Sequence, residues 1–464
     1  MRNLEFALLS VTVAAVLWPA VFGVRPRRGV IAALLAAAAG LQLQVEGFRW
    51  QMALIHLAGA GLAVGDIIFI DRRVEWSHRV ARGLFGLFGL SVAAAAPVAF
   101  PVPELPAPSG PETIGTTTVE LVDEGRPEVY GAFPGAPRRL TAQVWYPARP
   151  DSGQAPAPWS EDWDVVAPAT AERLGLPSWF LNHTRYTRSN GLASARPAEG
   201  PFPVVVYSHR WAGFRAIGIN QVETLASNGY IVIAVDHTYA AAATRLSDGE
   251  VVRWDPAALP EEGTVPEEER DEAGRVLLET LAADLVTVLD ALERGGAGPL
   301  GSIAEKADLA RIGLFGHGVG GGAAVRVCLE DPRCGAVLGM DPWVAPLPDS
   351  TIKLTASKPA LHMRSDDRRG TDNDALLRGI AERSEAPTYW LGVEGAGHND
   401  FTAVHLLSPI ASRLGLKGPI PAGRVMAVID NYLLGFFDVY LLGAGPAALD
   451  AVTFEEVSVE VING

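Results

Sequence analysis

The sequence predicts an α/β fold, a mostly parallel sheet with helices on both faces, preceded by an N-terminal four-helix transmembrane region. Three observations carry this expectation. From residue 202 onward, near-continuous apolar runs of strand length alternate with helical segments, the pattern of parallel strands buried on both faces. One such run, 310–315, enters a glycine-rich turn, Gly316-His317-Gly318-Val319-Gly320-Gly321, and passes directly into a helix. Before residue 104, four stretches without a charge follow one another closely: 6–24, 29–45, 50–65 and 83–103.

Each uncharged stretch is near the ~20 residues that cross a bilayer as a helix. A signal peptide would account for the first alone, and buried core helices are the soluble alternative. Four in succession favour a membrane bundle over about 6–24, 29–45, 50–70 and 83–103. Arginines set its orientation. The first loop holds Arg25, Arg27 and Arg28, and the third Arg72, Arg73, Arg79 and Arg82, against Glu46 and Arg49 in the second. Basic loops stay cytoplasmic, so residue 104 onward is expected outside the cell membrane; Arg2 opposes this weakly. His56 and Asp66 are polar groups within the bundle, and an intramembrane ionisable group is a functional candidate by default. The structural alternative pairs Asp66 with Arg72 or Arg73 near the interface.

Residues 104–111 are proline-rich and read as an extended linker. A domain over 112–464 begins with antiparallel strands, 116–122 and 139–146, and then a Pro/Ala/Ser segment at 147–158. An aromatic stretch with Trp159, Trp163, Trp179, Phe180 and Tyr186 reads as a cap over about 159–190. Strands follow at 204–208 and 230–236, with a helix at 218–228 between them. Residues 250–272 read as an acidic loop, and 275–293 as an amphipathic helix. Further strands are expected at 335–340, 360–363 and 388–393, with a closing helix over 424–441.

The net charge of −15 argues against a nucleic-acid partner. Cys328 and Cys334 are the two cysteines. They are a possible disulfide in an external domain, or two buried thiols. No second Cys/His pair has zinc-ligand spacing, so no metal is expected.

Strand, tight turn, helix is the setting of a nucleophile elbow, G-x-S-x-G. Here Gly318 stands at the nucleophile position, and no hydroxyl or thiol occurs between Phe315 and Val327. The motif alone is weak, because 49 glycines in 464 residues give roughly 0.5 chance matches to G-x-G-x-G. Order adds weight. Asp341 follows one later strand and His398 another, the order nucleophile, acid, base. In such a site the histidine takes the nucleophile's proton and the aspartate orients it. The loop Ser208-His209-Arg210-Trp211-Ala212-Gly213-Phe214 follows an early strand, so the Trp211 and Val319 N–H groups are candidates for an oxyanion hole. Tyr239 and Trp343, at strand ends, are expected to line a pocket with Arg210. His209, His237 and His317 read as structural, His362, His405, Asp366 and Asp367 as surface or packing residues, and His183, in the expected cap, carries little signal.

Over about residues 112–443 the sequence resembles the bacterial relatives of platelet-activating factor acetylhydrolase, an α/β-hydrolase family acting on esters. The pieces that carry it are Gly115-Thr116-Thr117, Gln143-Val144-Trp145-Tyr146-Pro147, the 208–215 loop, Ala234-Val235-Asp236-His237-Thr238-Tyr239, Asp331-Pro332-Arg333-Cys334, Met340-Asp341-Pro342-Trp343 and Gly397-His398-Asn399-Asp400-Phe401. The resemblance implies a secreted or membrane-attached lipase or esterase with a Ser–Asp–His triad, independent of calcium and of any cofactor. Two positions depart from it: Gly318 replaces the serine, and Arg210 stands where such relatives usually carry glycine. The readings left open are a degenerate hydrolase that binds an ester or lipid ligand in a bilayer-attached protein, a weak esterase in which His398 activates water, a substitution introduced into an active enzyme, and a membrane scaffold.

Overall fold

The computed structural model describes residues 1–463 except 25, 69–75, 132–133, 151–152 and 451–452. Arg25, Arg72, Arg73, the expected end of the third apolar helix and part of the 147–158 segment therefore lie outside the described residues. The chain divides into two units, Met1–Pro103 with Asn182–Tyr186 and Leu407–Ile410, and Glu104–Leu181 with Thr187–Leu406 and Ala411–Gly464.

The first unit holds α1 (Asn3–Phe22), α2 (Val30–Val45), α3 (Ala53–Ile68) and α4 (Trp76–Ala99). Helix α1, α3 with the turn at Trp50–Met52, and α4 are long and apolar enough to cross a membrane, whereas α2 has only 16 residues. Phe6, Leu57, Phe85 and Phe88 are exposed on them. Helix α4 begins seven residues before position 83, so Arg79 and Arg82 are helical rather than in a loop. Arginine is a good helix former and does not stop a helix. The buried Glu5 carboxylate accepts two hydrogen bonds from Arg49, at 2.6 and 2.8 Å, and three from Arg2, from its backbone N–H at 2.9 Å and its guanidinium at 2.7 and 3.0 Å. His56 Nε2 meets Gln42 Oε1 at 3.1 Å, and Asp66 Oδ2 accepts the Ala32 N–H at 3.2 Å.

The second unit opens with β1 (Thr113–Pro127), β2 (Pro137–Ala148), β3 (Pro156–Pro158), α5 (Trp163–Arg173) and β4 (Arg188–Ala193). Its centre is β5 (Phe202–Ser208), α6 (Ile219–Ser227), β6 (Ile231–Asp236), a small β7 (Ala243–Arg245) and β8 (Val251–Arg253) pair, α7 (Glu267–Glu293), β9 (Ala307–His317) and α8 (Val319–Glu330). It closes with β10 (Ala336–Met340), α9 (Asp349–Ile352), β11 (Ala360–Arg364), α10 (Asp372–Glu382), β12 (Thr388–Val393), α11 (Ala422–Leu442), α12 (Ala447–Asp450) and β13 (Val457–Ile462).

Among the described residues, eleven strands form one sheet in the order β13-β12-β11-β10-β9-β5-β6-β2-β1-β4-β3. Its centre, β6 through β12, is parallel, while β2 runs antiparallel to β6, and β13 to β12. Alternating side chains serve two faces. Val204, Val206, Ile312 and Leu314 pack with Leu277, Leu281, Leu285 and Val288 of α7. Tyr207 and Phe315 stack on the other face, where Phe437 of α11 covers them.

Four features differ from expectation. Helix α7 starts at Glu267, inside the expected acidic loop, because Glu267, Glu268 and Glu269 suit the positive end of a helix dipole. Strand β13 comes from a tail with no assigned element. Residues 104–111 are not a free spacer: Gly110 N–H donates to Ser227 Oγ at 3.1 Å, and Asn190 Nδ2 to Pro106 O at 3.0 Å. The expected cap is composite, since β4 pairs with β1 and Asn182–Tyr186 groups with the first unit.

Helix α11 places Asp430 beside Thr224 and Asn220 of α6, and burial raises its carboxyl to about 7 against the opposing pull of these polar neighbours. The native state thus keeps a proton that the unfolded chain loses near pH 4. This contribution to stability is full below that pH and is lost as pH rises towards and through 7. Replacing Asp430→Asn should remove a slope of at most about 1.4 kcal/mol per pH unit between pH 4 and 7. Denaturant unfolding of the two proteins across that range checks it.

Candidate active site

Strand β9 ends at His317, Gly318 turns the chain, and α8 starts at Val319. Gly318 has φ 58° and ψ −124°, a conformation that costs a side-chain-bearing residue about 1–3 kcal/mol and glycine little. Its N–H donates to Met340 O at 3.0 Å, and its carbonyl accepts the Trp343 N–H at 2.9 Å. Gly320 is required by close approach, because a Cβ there would run into the Ser208 and His209 carbonyls.

Parallel strands deliver the other residues to the same edge. Asp341 follows β10 at φ 45°; with Ser194, Ala212, Tyr239 and Asn463 it is one of five non-glycine residues with positive φ among the described residues. His398 follows β12, and its Nδ1 lies 2.9 Å from Asp341 Oδ2. Ser365 donates to both carboxylate oxygens, from N–H at 2.8 Å and Oγ at 2.6 Å. A Cβ built on Gly318 would stand 3.5 Å from His398 Nε2 and 3.3 Å from Arg210 Cβ. The position of a side chain at residue 318 is therefore bounded by the His398 ring and by Arg210 Cβ.

The histidine is lowered in basicity by burial, against the opposing pull of Asp341. Its side chain keeps 19% exposure, whereas Asp341 is enclosed. His317 lies beneath it, ring centroids 4.3 Å apart, and burial holds it well below the usual range. Among the described residues, neither the Trp211 nor the Val319 N–H donates to a backbone acceptor. Arg210 has a buried Nε with no hydrogen-bond partner. Burial, then the like charge of Arg173, lowers it to about 10, so it stays charged at neutral pH. Of the remaining site residues, Trp343 lies against Gly274 of α7, and the Tyr239 ring against Gly131. Cys328 and Cys334 are joined as a disulfide between α8 and the approach to β10.

Several contributors escaped sequence reading. Asp367 Oδ2 accepts the His398 N–H and Asp366 Oδ2 the Gly395 N–H, each at 2.7 Å, so this acidic pair holds the histidine loop. Their place just after a parallel strand was the available signal. Trp159 and Trp163 stack at 4.9 Å, Trp163 meets Phe214 at 5.4 Å, and Trp159 Nε1 donates to Ala216 O. These tryptophans brace the loop that carries Arg210.

A second constellation has triad distances: Ser208 Oγ to His237 Nε2 is 2.8 Å, and His237 Nδ1 to Asp284 Oδ2 is 2.9 Å. All three side chains are 0% exposed, so no substrate reaches Ser208. Asp284 is shared with Arg138 at 2.7 Å. Burial opposes its charge, but Arg138 and His237 hold the carboxyl far below its usual range. His237 N–H donates to His209 Nε2, and His209 Nδ1 meets Arg210 O at 2.7 Å. This relay is a strut under the loop.

A family model described as "Platelet-activating factor acetylhydrolase, isoform II" matches residues 178–256 and 296–442. A platelet-activating factor acetylhydrolase of Gallus gallus is 22% identical over 369 residues, 73% of this chain and 83% of that protein. The chain is an α/β-hydrolase relative of the platelet-activating factor acetylhydrolases. A probable 1-alkyl-2-acetylglycerophosphocholine esterase of Arthroderma benhamiae is 22% identical over 384 residues, 76% of this chain and 91% of that protein. The solved structure of a ferulic acid esterase from Streptomyces cinnamoneus matches with a TM-score of 0.60 and 28% identity, over 77% of this chain and 99% of that one. An ester- or lipid-hydrolase ancestry follows.

Removing the Asp284 charge leaves Arg138 buried beside Glu128 alone. Asp284→Asn should destabilise the protein by roughly 3–5 kcal/mol and more than Glu128→Gln does, read as the loss in denaturant midpoint.

Proposed function

We propose that this protein is a membrane-anchored α/β-hydrolase relative that binds an ester- or lipid-derived ligand and no longer turns it over through an acyl-enzyme. Gly318 is the observation that carries the proposal. Asp341 and His398 keep the geometry of a base and its orienting acid, and the Trp211 and Val319 N–H groups serve as oxyanion donors. The oxygen that would attack is absent. Loss of a serine nucleophile lowers kcat by roughly 10⁶ in a serine hydrolase. The relatives' names point to acetyl esters of glycerophosphocholine as the ancestral ligand class. Helices α1–α4 form the anchor, with the basic loops cytoplasmic and the hydrolase unit outside.

A second reading has His398 activate a water in the hollow beside Gly318. A Gly318 Cβ would come within 3.5 Å of His398 Nε2, so the ring that would activate the water faces this position.

The full chain in non-ionic detergent should leave a short-chain p-nitrophenyl ester intact and remain unlabelled at residue 318 by a fluorophosphonate. Gly318→Ser should gain both turnover and labelling, and Gly318→Ser/His398→Ala should lose the turnover again. Turnover by the parent that disappears in His398→Ala would instead establish the water reading. The anchor is tested by carbonate extraction of membranes, in which the full chain should remain with the lipid.

A further inference from the structure

We infer that the hollow at Gly318 is a binding site for a free carboxylate, held by Arg210; this rests on the reading that the site binds without acyl transfer.

Among the described residues, the three fully buried arginines are matched. Arg138 pairs with Glu128 and Asp284, Arg215 with Asp162 and Asp236, and Arg49 with Glu5. Arg210, which is part-buried, differs from these three: among the described residues no carboxylate pairs with it, and its Nε, like those of Arg79, Arg215, Arg270 and Arg364, is buried without a hydrogen-bond acceptor. The nearby carboxylates are engaged: Asp341 by His398 and Ser365, and Asp367 by the His398 N–H. The surrounding charge is of the same sign. Arg173 acts on Arg210, and Arg368 and Arg210 both act on His398. A cation so placed is stabilised by an anion that the chain itself does not supply.

The two departures from the hydrolase pattern meet at one point, since Arg210 Cβ is 3.3 Å from where a Gly318 Cβ would be. In a serine enzyme the acyl carbon carries one oxygen in the oxyanion hole and a second, Oγ, from the protein. Without that Oγ, the second oxygen of a free acid fits the vacated position beside His398 Nε2. Its first oxygen takes the Trp211 and Val319 N–H groups, and Arg210 balances the charge. An ester has neither the charge nor the compact second oxygen. A tetrahedral phosphate is bulkier than a hollow one side chain deep.

The experiment titrates the full chain in non-ionic detergent with butyrate, methyl butyrate and inorganic phosphate, by calorimetry and thermal unfolding. Butyrate should bind saturably and raise the unfolding temperature, with methyl butyrate and phosphate inert at the same concentrations. Arg210→Gln should weaken butyrate binding about ten- to hundredfold, the range for a lost charge-assisted hydrogen bond. Its unliganded unfolding temperature should equal or exceed the parent's, because an unpaired charge has been removed, which separates lost binding from lost folding. Butyrate inert on the parent, or equally tight on Arg210→Gln, overturns the inference. Phosphate binding as tightly as butyrate overturns the carboxylate assignment. Turnover of the p-nitrophenyl ester by the same preparation would overturn the underlying reading instead, whatever the titration shows.

Discussion

The backbone of Gly318 is the constraint on which the site depends. Its N–H is tied to the end of β10 and its carbonyl to the Trp343 N–H, so the turn cannot relax without separating β9 from β10. Close approach of Gly320 to the Ser208 and His209 carbonyls ties the same turn to β5. Three neighbouring parallel strands therefore end at fixed positions, and the loops after them are brought to one edge of the sheet. Glycine makes this geometry inexpensive. A glycine at residue 318 holds the turn without the strain that a side chain would bring to this backbone.

Charge placement separates structure from ligand recognition. Arg138, Arg215 and Arg49 are each answered by carboxylates at close range, the ordinary condition for burying a guanidinium. The Asp284 relay shows the logic well. Ser208, His237 and Asp284 have the distances of a proton-transfer chain but full enclosure, so their hydrogen bonds hold the loop above them. Arg210, at the top of that loop, has no such answer. The strut is satisfied internally, whereas Arg210 Nε has no hydrogen-bond partner among the described residues.

The order of elbow, acid and base was legible in the sequence because it is a local pattern repeated three times: an apolar strand, then a short polar or glycine-rich turn. Parallel topology converts that order into proximity with little further information. The central strands and α8 and α11 were legible for the same reason. Less legible were elements whose stability is non-local. Strand β13 forms because β12 offers an open edge, and the first turns of α7 form because acidic residues suit a helix start. The proline-rich 104–111 stretch carries no sign of the α6 residues that hold it. Asp366 and Asp367 look like ordinary surface acids and stay exposed; only the folded chain brings the Gly395 and His398 N–H groups to them.

By itself the sequence determined the alternation of strands and helices, the missing hydroxyl at residue 318 and the apolar lengths of the N-terminal helices. These depend on residue type and spacing along the chain. Tertiary structure alone decided that Asp284 rather than solvent faces His237, that Arg210 sits against Gly318, and that no carboxylate meets it among the described residues. Those facts depend on distances between segments far apart in the chain, which burial and backbone hydrogen bonding set only once the sheet has assembled.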